Sequence, residues 1–240
     1  MVRAPIVELR GDIGHGRSFV VGGLDLCVEP GDRLEIRGTN GSGKTTALLH
    51  LAGLTRSRTA RRTGSSTVAW IPAALEPPHH PTREWLTGFR PHAVDPRAVL
   101  ERLGFSGSLA QPLDELSFGN LRKVLLAEAF AATPDLVVID EAASGLDVTG
   151  VTVLGELCHD HAERGGAVVW ADQDSAPELP ATARFRIRSG RLLDAGPGRA
   201  DRGVAGRRSV RFDGGAAEIE QLIRRAADLG LAPAPELDQP

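Results

Sequence analysis

The segment Gly38-Thr39-Asn40-Gly41-Ser42-Gly43-Lys44-Thr45 fits the phosphate-cradling pattern G-x-x-x-x-G-K-[ST], and few folds accommodate it. A loop of this composition lets successive backbone N–H groups point inward at phosphate oxygens, while the helix that follows adds the positive end of its dipole. Lys44 would bring a full charge to the β and γ phosphates; Lys123 is the only other lysine in the chain. Thr45 would offer its hydroxyl to Mg²⁺, an ion that prefers to bridge substrate phosphates with few protein ligands. The candidate nucleotide contacts on this segment run from Gly38 through Thr46. The flanks agree with the pattern. Leu34-Glu35-Ile36-Arg37 alternates apolar and polar as a strand does, and Ala47, Leu48, Leu49, Leu51 and Ala52 make an apolar helical face.

At 240 residues the chain can bury a full core, as one large α/β domain or one domain plus a small appendage. Hydrophobic content of 41%, charged content of 25% and a net charge of −3 give no electrostatic bias toward nucleic acid or anionic lipid, so no nucleic-acid partner is expected. Cys27 and Cys158 lie far apart with no C-x-x-C spacing, which suits a reduced cytoplasmic setting, and both are expected to be small core residues. No apolar run approaches the ~20 residues needed to span a bilayer, so the protein is not expected to cross a membrane by itself.

Short apolar stretches broken by glycines over residues 6–36 read as strands and hairpins leading into the phosphate loop. From Leu75 to Pro112 the chain is rich in Pro and His, with helical pieces near Thr82–Phe89 and Pro96–Leu103. A helix from about Ser117 to Ala132 follows. Leu136-Val137-Val138-Ile139 and Ala167-Val168-Val169-Trp170 are continuous apolar runs of the kind found in parallel strands covered on both faces, and Val151–Arg164 can form the crossover helix between them. After Gly190-Arg191-Leu192 the chain reads as loop through Gly206, and then offers a small strand and a helix near Ala216–Leu229. The expected organisation is a nucleotide-binding domain over residues 1–197, with a helical subdomain at about 74–133, and an extension over 198–240.

Asp140 and Glu141 end the first apolar run, and at the carboxyl end of a parallel strand they would reach the crevice where such sheets bind ligands. Asp140 suits Mg²⁺, and Glu141 suits polarising the water that attacks the γ-phosphate. The order of motifs resembles the nucleotide-binding subunit of ATP-binding-cassette (ABC) transporters over residues 6 to about 193, with a shortened helical subdomain that looks more like small bacterial exporter subunits than importer ones. Leu116-Ser117-Phe118-Gly119-Asn120 is similar to the family signature Leu-Ser-Gly-Gly-Gln, and Ser144-Gly145-Leu146-Asp147 to its D-loop. The resemblance implies a P-loop NTPase (RecA-like) core with a parallel sheet, an N-terminal antiparallel β subdomain and a helical signature subdomain. It also implies ATP and Mg²⁺ as ligands. A homodimer, or a heterodimer with a second ATP-binding subunit, would sandwich nucleotide between one chain's phosphate loop and the other's Ser117 and Gly119. The partner would be a separate membrane permease, met from the cytoplasmic side. Trp85, Leu86 and Phe89 would either meet that permease or pack within the subdomain.

Four positions depart from the family pattern. Ala73 stands where the family has a glutamine, Gln173 where it has the switch histidine, and Phe118 and Asn120 replace glycine and glutamine in the signature. The chain also has no tyrosine to stack on adenine; His15 occupies that place, with Phe19 in reserve. Glu141, Gln173 and Lys44 are the expected catalytic set, with Thr45 and Asp140 on the metal, and the substitutions imply a slow or asymmetric ATPase. Two other readings stay open: a soluble ABC-type ATPase outside transport, and a non-hydrolysing ATP-binding partner in a heterodimer.

Overall fold

The computed structural model describes residues 4–15, 18–64, 66–74, 76–88 and 92–197. The expected C-terminal extension lies outside the described residues. An antiparallel hairpin, β1 (Val7–His15) and β2 (Ser18–Val28), leads into β3 (Arg33–Arg37), whose end feeds the phosphate loop and α1 (Lys44–Leu51). Then come β4 (Thr59–Thr63) and β5 (Val68–Ile71), followed by α2 (Thr82–Gly88), α3 (Pro96–Arg102) and α4 (Phe118–Ala131). The chain returns to the sheet through β6 (Leu136–Asp140), α5 (Val148–Glu163), β7 (Ala167–Asp172), β8 (Ala183–Arg188) and β9 (Arg191–Pro197).

These strands form one sheet in the order β4-β1-β2-β9-β8-β3-β7-β6-β5. The half from β8 to β5 is parallel, and the β4-β1-β2 edge is antiparallel, as are β8 and β9. Strands β6 and β7 are buried along their whole length because both faces are covered. Leu136, Val138, Val169 and Ala171 face the layer that holds α1 and the antiparallel edge, whereas Val137, Ile139, Val168 and Trp170 face α4 and α5. The period-2 alternation of a strand thus divides one apolar run between two cores.

Helix starts follow local chemistry. Asp95 accepts from the Arg97 N–H, with Pro96 opening α3; Ser117 accepts from the Asn120 N–H at the start of α4; Asp147 accepts from the Gly150 N–H at the start of α5. The expected helices at 82–89, 96–103, 117–132 and 151–164 are present within one to three residues of those bounds. Leu86 belongs to the core under α4, with Trp85 packed partly against it, which favours packing within the subdomain for these two; Phe89 lies outside the described residues.

Two readings are corrected. Cys27 is exposed, because β2 turns Leu24, Leu26 and Val28 inward and places the odd-numbered positions between them outward; Cys158 alone is a core cysteine. Residues 191–197 are not loop but strand β9, paired antiparallel with β8 along its length and touching β2 at Arg191. Strand β3 also buries its polar residues: Glu35 is fully buried, accepting from Arg37 Nη2 at 2.9 Å, from Trp170 Nε1 at 3.4 Å and from Arg184 Nε. The alternating pattern gave the strand correctly but not its surroundings, where two arginines satisfy a buried carboxylate.

Candidate nucleotide site

The loop between β3 and α1 closes on glycine geometry. Gly43 sits at φ 104 as the residue before the helix, and a Cβ there would lie 2.6 Å from Val21 Cγ2 and 2.8 Å from Val20 Cγ1. Lys44 is buried, and its Nζ donates to the carbonyls of Gly38 (2.8 Å) and Thr39 (3.1 Å), so the ammonium arches back over the loop it belongs to. The Ser42 hydroxyl is buried with no partner among the described residues, an orphaned polar atom in the same loop. Thr46 is buried in the first turn of α1.

Opposite the loop, at the carboxyl end of β6, Thr45 Oγ1 donates to Asp140 Oδ2 at 2.7 Å across 95 residues of sequence. Burial pushes the Asp140 carboxyl above its ordinary range, opposed chiefly by that hydroxyl, while the Glu141 charge adds to the rise. A small hydroxyl and a desolvated carboxylate side by side are hard oxygen donors of the kind Mg²⁺ takes, and the Lys44 charge beside an orphaned hydroxyl suits a phosphate chain. The residues present therefore fit both groups.

Glu141 leaves the strand at φ 52, in the left-handed region. Gln173 Nε2 donates to Glu141 Oε1 at 3.5 Å from the end of the neighbouring strand β7. Just before it, Asp172 is buried, with Oδ1 accepting from the Ala143 N–H at 3.4 Å. The structure thus brings Lys44, Thr45, Asp140, Glu141 and Gln173 together from three parallel strands. Ala73 follows β5, where the carbonyl of Pro72 accepts from Arg122 Nη1.

Ser117 and Gly119 form a second cluster. Ser117 caps α4, the backbones of Gly119 and Gly145 approach so closely that a Cβ on Gly119 would stand 2.6 Å from the Gly145 oxygen, and Phe118 lays its half-exposed ring along Gly145. The phenylalanine is accommodated because the D-loop offers a glycine at that point. Asn120 Oδ1 accepts from the Ser106 N–H at 3.3 Å. The stacking role given to His15 and Phe19 depends on side chains outside the described residues.

Four residues of the site went unread in the sequence. Arg122, in α4, donates through Nη2 to the carbonyls of Asp140 (2.6 Å) and Glu141 (2.9 Å); the clue was a lone charge on the helical face of Leu126 and Ala129. Burial pushes its pKa down to about 10, with the Asp172, Asp140 and Glu141 charges opposing, so it stays cationic at neutral pH. Asp172 is another. Arg186 and Arg188, on a strand that was not anticipated, line a cavity of about 470 Å³ beside Thr39, Asn40 and Ser42.

A phosphate loop facing two carboxylates across parallel strands, beside a capped signature-like helix, defines an α/β nucleotide-binding protein of the P-loop class. A family model described as "ABC transporter" matches residues 21–144. The cytochrome c biogenesis ATP-binding export protein CcmA of Hyphomonas neptunium is 30% identical over 194 residues, 77% of this chain and 97% of the relative. The zinc import ATP-binding protein ZnuC of Paramagnetospirillum magneticum is 31% identical over 179 residues, 71% of this chain and 68% of the relative. Among solved structures, an "ATP binding subunit of ABC transporter" superposes with a TM-score of 0.67 at 20% identity, over 80% of this chain and 90% of that one, which shows the fold. The chain belongs to the ABC transporter family, as a nucleotide-binding subunit. Export and import proteins stand side by side among its relatives at similar identity. No helix among the described residues is long and apolar enough to cross a membrane.

Proposed function

We propose that this chain binds Mg-ATP at a dimer interface and hydrolyses it slowly to drive a separate membrane permease, docked peripherally at the cytoplasmic face. The observation that carries the reading is the Thr45–Asp140 contact of 2.7 Å beside Lys44, with Glu141 next in sequence and within reach of Gln173. The domain that does this spans residues 1–197. CcmA and ZnuC are named as ATP-binding proteins of export and import, which supports a permease partner without choosing a direction.

The chain's own groups divide the work. Backbone N–H groups of residues 39–45 and the Lys44 ammonium bind and orient the phosphates. Thr45 and Asp140 would hold Mg²⁺, which supplies neutralisation of charge on the phosphate oxygens. Glu141 accepts the proton of the attacking water, and Gln173 fixes the Glu141 carboxylate by donating to Oε1. Ser117 and Gly119, at a helix N-terminus, complete the shell of a nucleotide held by a second chain. Ala73 supplies only a methyl group and Gln173 cannot carry a proton charge, so turnover is slow while binding is retained. His15 is assigned to the adenine.

The test is equilibrium Mg-ATP affinity and steady-state turnover of the purified chain, beside Lys44→Ala. Lys44→Ala should weaken Mg-ATP binding by about tenfold or more and remove turnover, since a charge-assisted contact is worth ~1.5–3 kcal/mol. Unchanged affinity in Lys44→Ala would overturn the site. Tight binding with no turnover in the parent chain would move the reading to a non-hydrolysing partner in a heterodimer.

A further inference from the structure

We propose that Arg122 is a positioning residue for Glu141: its guanidinium ties the peptide groups of the catalytic loop to the start of α4 and to Pro72. The inference rests on the hydrolytic role proposed for Glu141 and extends it to how that carboxylate is aimed.

Arg122 is 2% exposed, so water cannot replace its contacts. Its Nη2 spans the successive carbonyls of Asp140 and Glu141, and its Nη1 reaches the carbonyl of Pro72. Three elements of separate origin thereby meet on one planar group: the helix that begins at Ser117, the end of β5 before Ala73, and the turn after β6. The rigid fork of an arginine can hold adjacent carbonyls at fixed directions, which a single ammonium cannot. The turn needs such support. Glu141 occupies the left-handed region at φ 52, a conformation that persists only when its surroundings hold it. Within the turn, the Ala142 N–H donates to the Ala171 carbonyl at 3.3 Å and the Ser144 N–H to the Glu141 carbonyl at 3.0 Å. These bonds do not reach Pro72 or α4; Arg122 makes that link.

The consequence is mechanical. A shift of the first turns of α4 moves the guanidinium, and with it the two peptide groups that carry Asp140 and Glu141. The second residue after β5 bears no side chain able to sense a phosphate, since it is Ala73, yet the Pro72 carbonyl stays connected to the catalytic turn through Arg122. Coupling between these segments would run through the backbone at this point.

Two readouts test this on the full chain with Arg122→Met and Arg122→Lys. In the nucleotide-free protein, amide hydrogen exchange at Ala142 and Ser144 should speed about tenfold in Arg122→Met and less in Arg122→Lys, with α1 unchanged. With Mg-ATP, maximal turnover should fall about 10²-fold in Arg122→Met while the dissociation constant for Mg-ATP stays within about twofold, because misaiming a reacting group by ~1 Å costs that much rate. Arg122→Lys should recover part of the rate. Unchanged exchange at both amides would overturn the proposal, as would turnover and affinity falling in parallel. If Arg122→Met does not fold, the same comparison is made on Arg122→Lys, where unchanged exchange again overturns it. A parent chain without turnover would refute the hydrolytic reading, and the exchange result would still decide whether Arg122 holds the turn.

Discussion

Replacing Glu141 by glutamine should lower Mg-ATP turnover by about 10²–10⁴-fold, the range for loss of a positioned general base, while Mg-ATP affinity stays within a few-fold of the parent. The substitution is nearly isosteric, and its amide oxygen can still accept from Gln173 Nε2, which stands 3.5 Å from Oε1. Lys44 keeps its contacts with the Gly38 and Thr39 carbonyls and Thr45 its contact with Asp140, since none of them runs through the Glu141 side chain. Only the capacity to take a proton is lost. Single-turnover hydrolysis and equilibrium nucleotide binding on the same samples separate the two effects. Turnover within about fivefold of the parent would mean that another group serves as the base. Because Gln173 cannot store the proton as an imidazole could, the parent rate is itself expected to be low.

Much of this site was legible because its chemistry is local. The phosphate loop occupies eight consecutive residues between a strand and a helix, and the carboxylates end an apolar run, so spacing alone placed Lys44, Thr45, Asp140 and Glu141 near one another. The Thr45–Asp140 contact shows that the inference from parallel topology was sound. What stayed hidden depends on partners distant in sequence. Strand β8 reads Ala183-Arg184-Phe185-Arg186-Ile187-Arg188, charged at alternate positions; Glu35 neutralises Arg184 across 149 residues, and Arg186 and Arg188 open on the cavity beside the loop. Arg122 falls in the same class, since a buried arginine makes sense only when the carbonyls it serves are known. Strands β4 and β9 are legible only as partners of β1 and β8, because neither carries the apolar repeat of a core strand. Phe118, which replaces a glycine of the signature, lies on Gly145, a neighbour the sequence does not show.

Asp172→Asn should stabilise the protein at alkaline pH and flatten its stability profile. Asp172 ends β7 beside Gln173, with 2% of its surface exposed; Oδ1 accepts from the Ala143 N–H at 3.4 Å and Oδ2 has no partner among the described residues. Burial pushes its carboxyl up to about 7, the Glu35 charge adds to the rise, and the Ala143 N–H, Arg37 and Arg122 oppose it. An unfolded aspartate ionises near ~4, so the folded chain holds a proton that the unfolded chain has released. The contribution to stability is therefore full below about pH 4 and is lost as pH rises through 7. At ~1.4 kcal/mol per pH unit of displacement, the cost of ionising Asp172 in the fold approaches roughly 3–4 kcal/mol by pH 8. Asparagine keeps an oxygen for the Ala143 N–H and removes the titration. Denaturant unfolding should show the two proteins within about 1 kcal/mol near pH 4 and the variant ahead by about 3 kcal/mol at pH 8. Parallel curves across that range would mean that Arg37 and Arg122 hold the carboxylate ionised in the fold. In that case the turn from Glu141 to Ser144 would rest on two charged anchors, one on each side, rather than on Arg122 and a neutral acid.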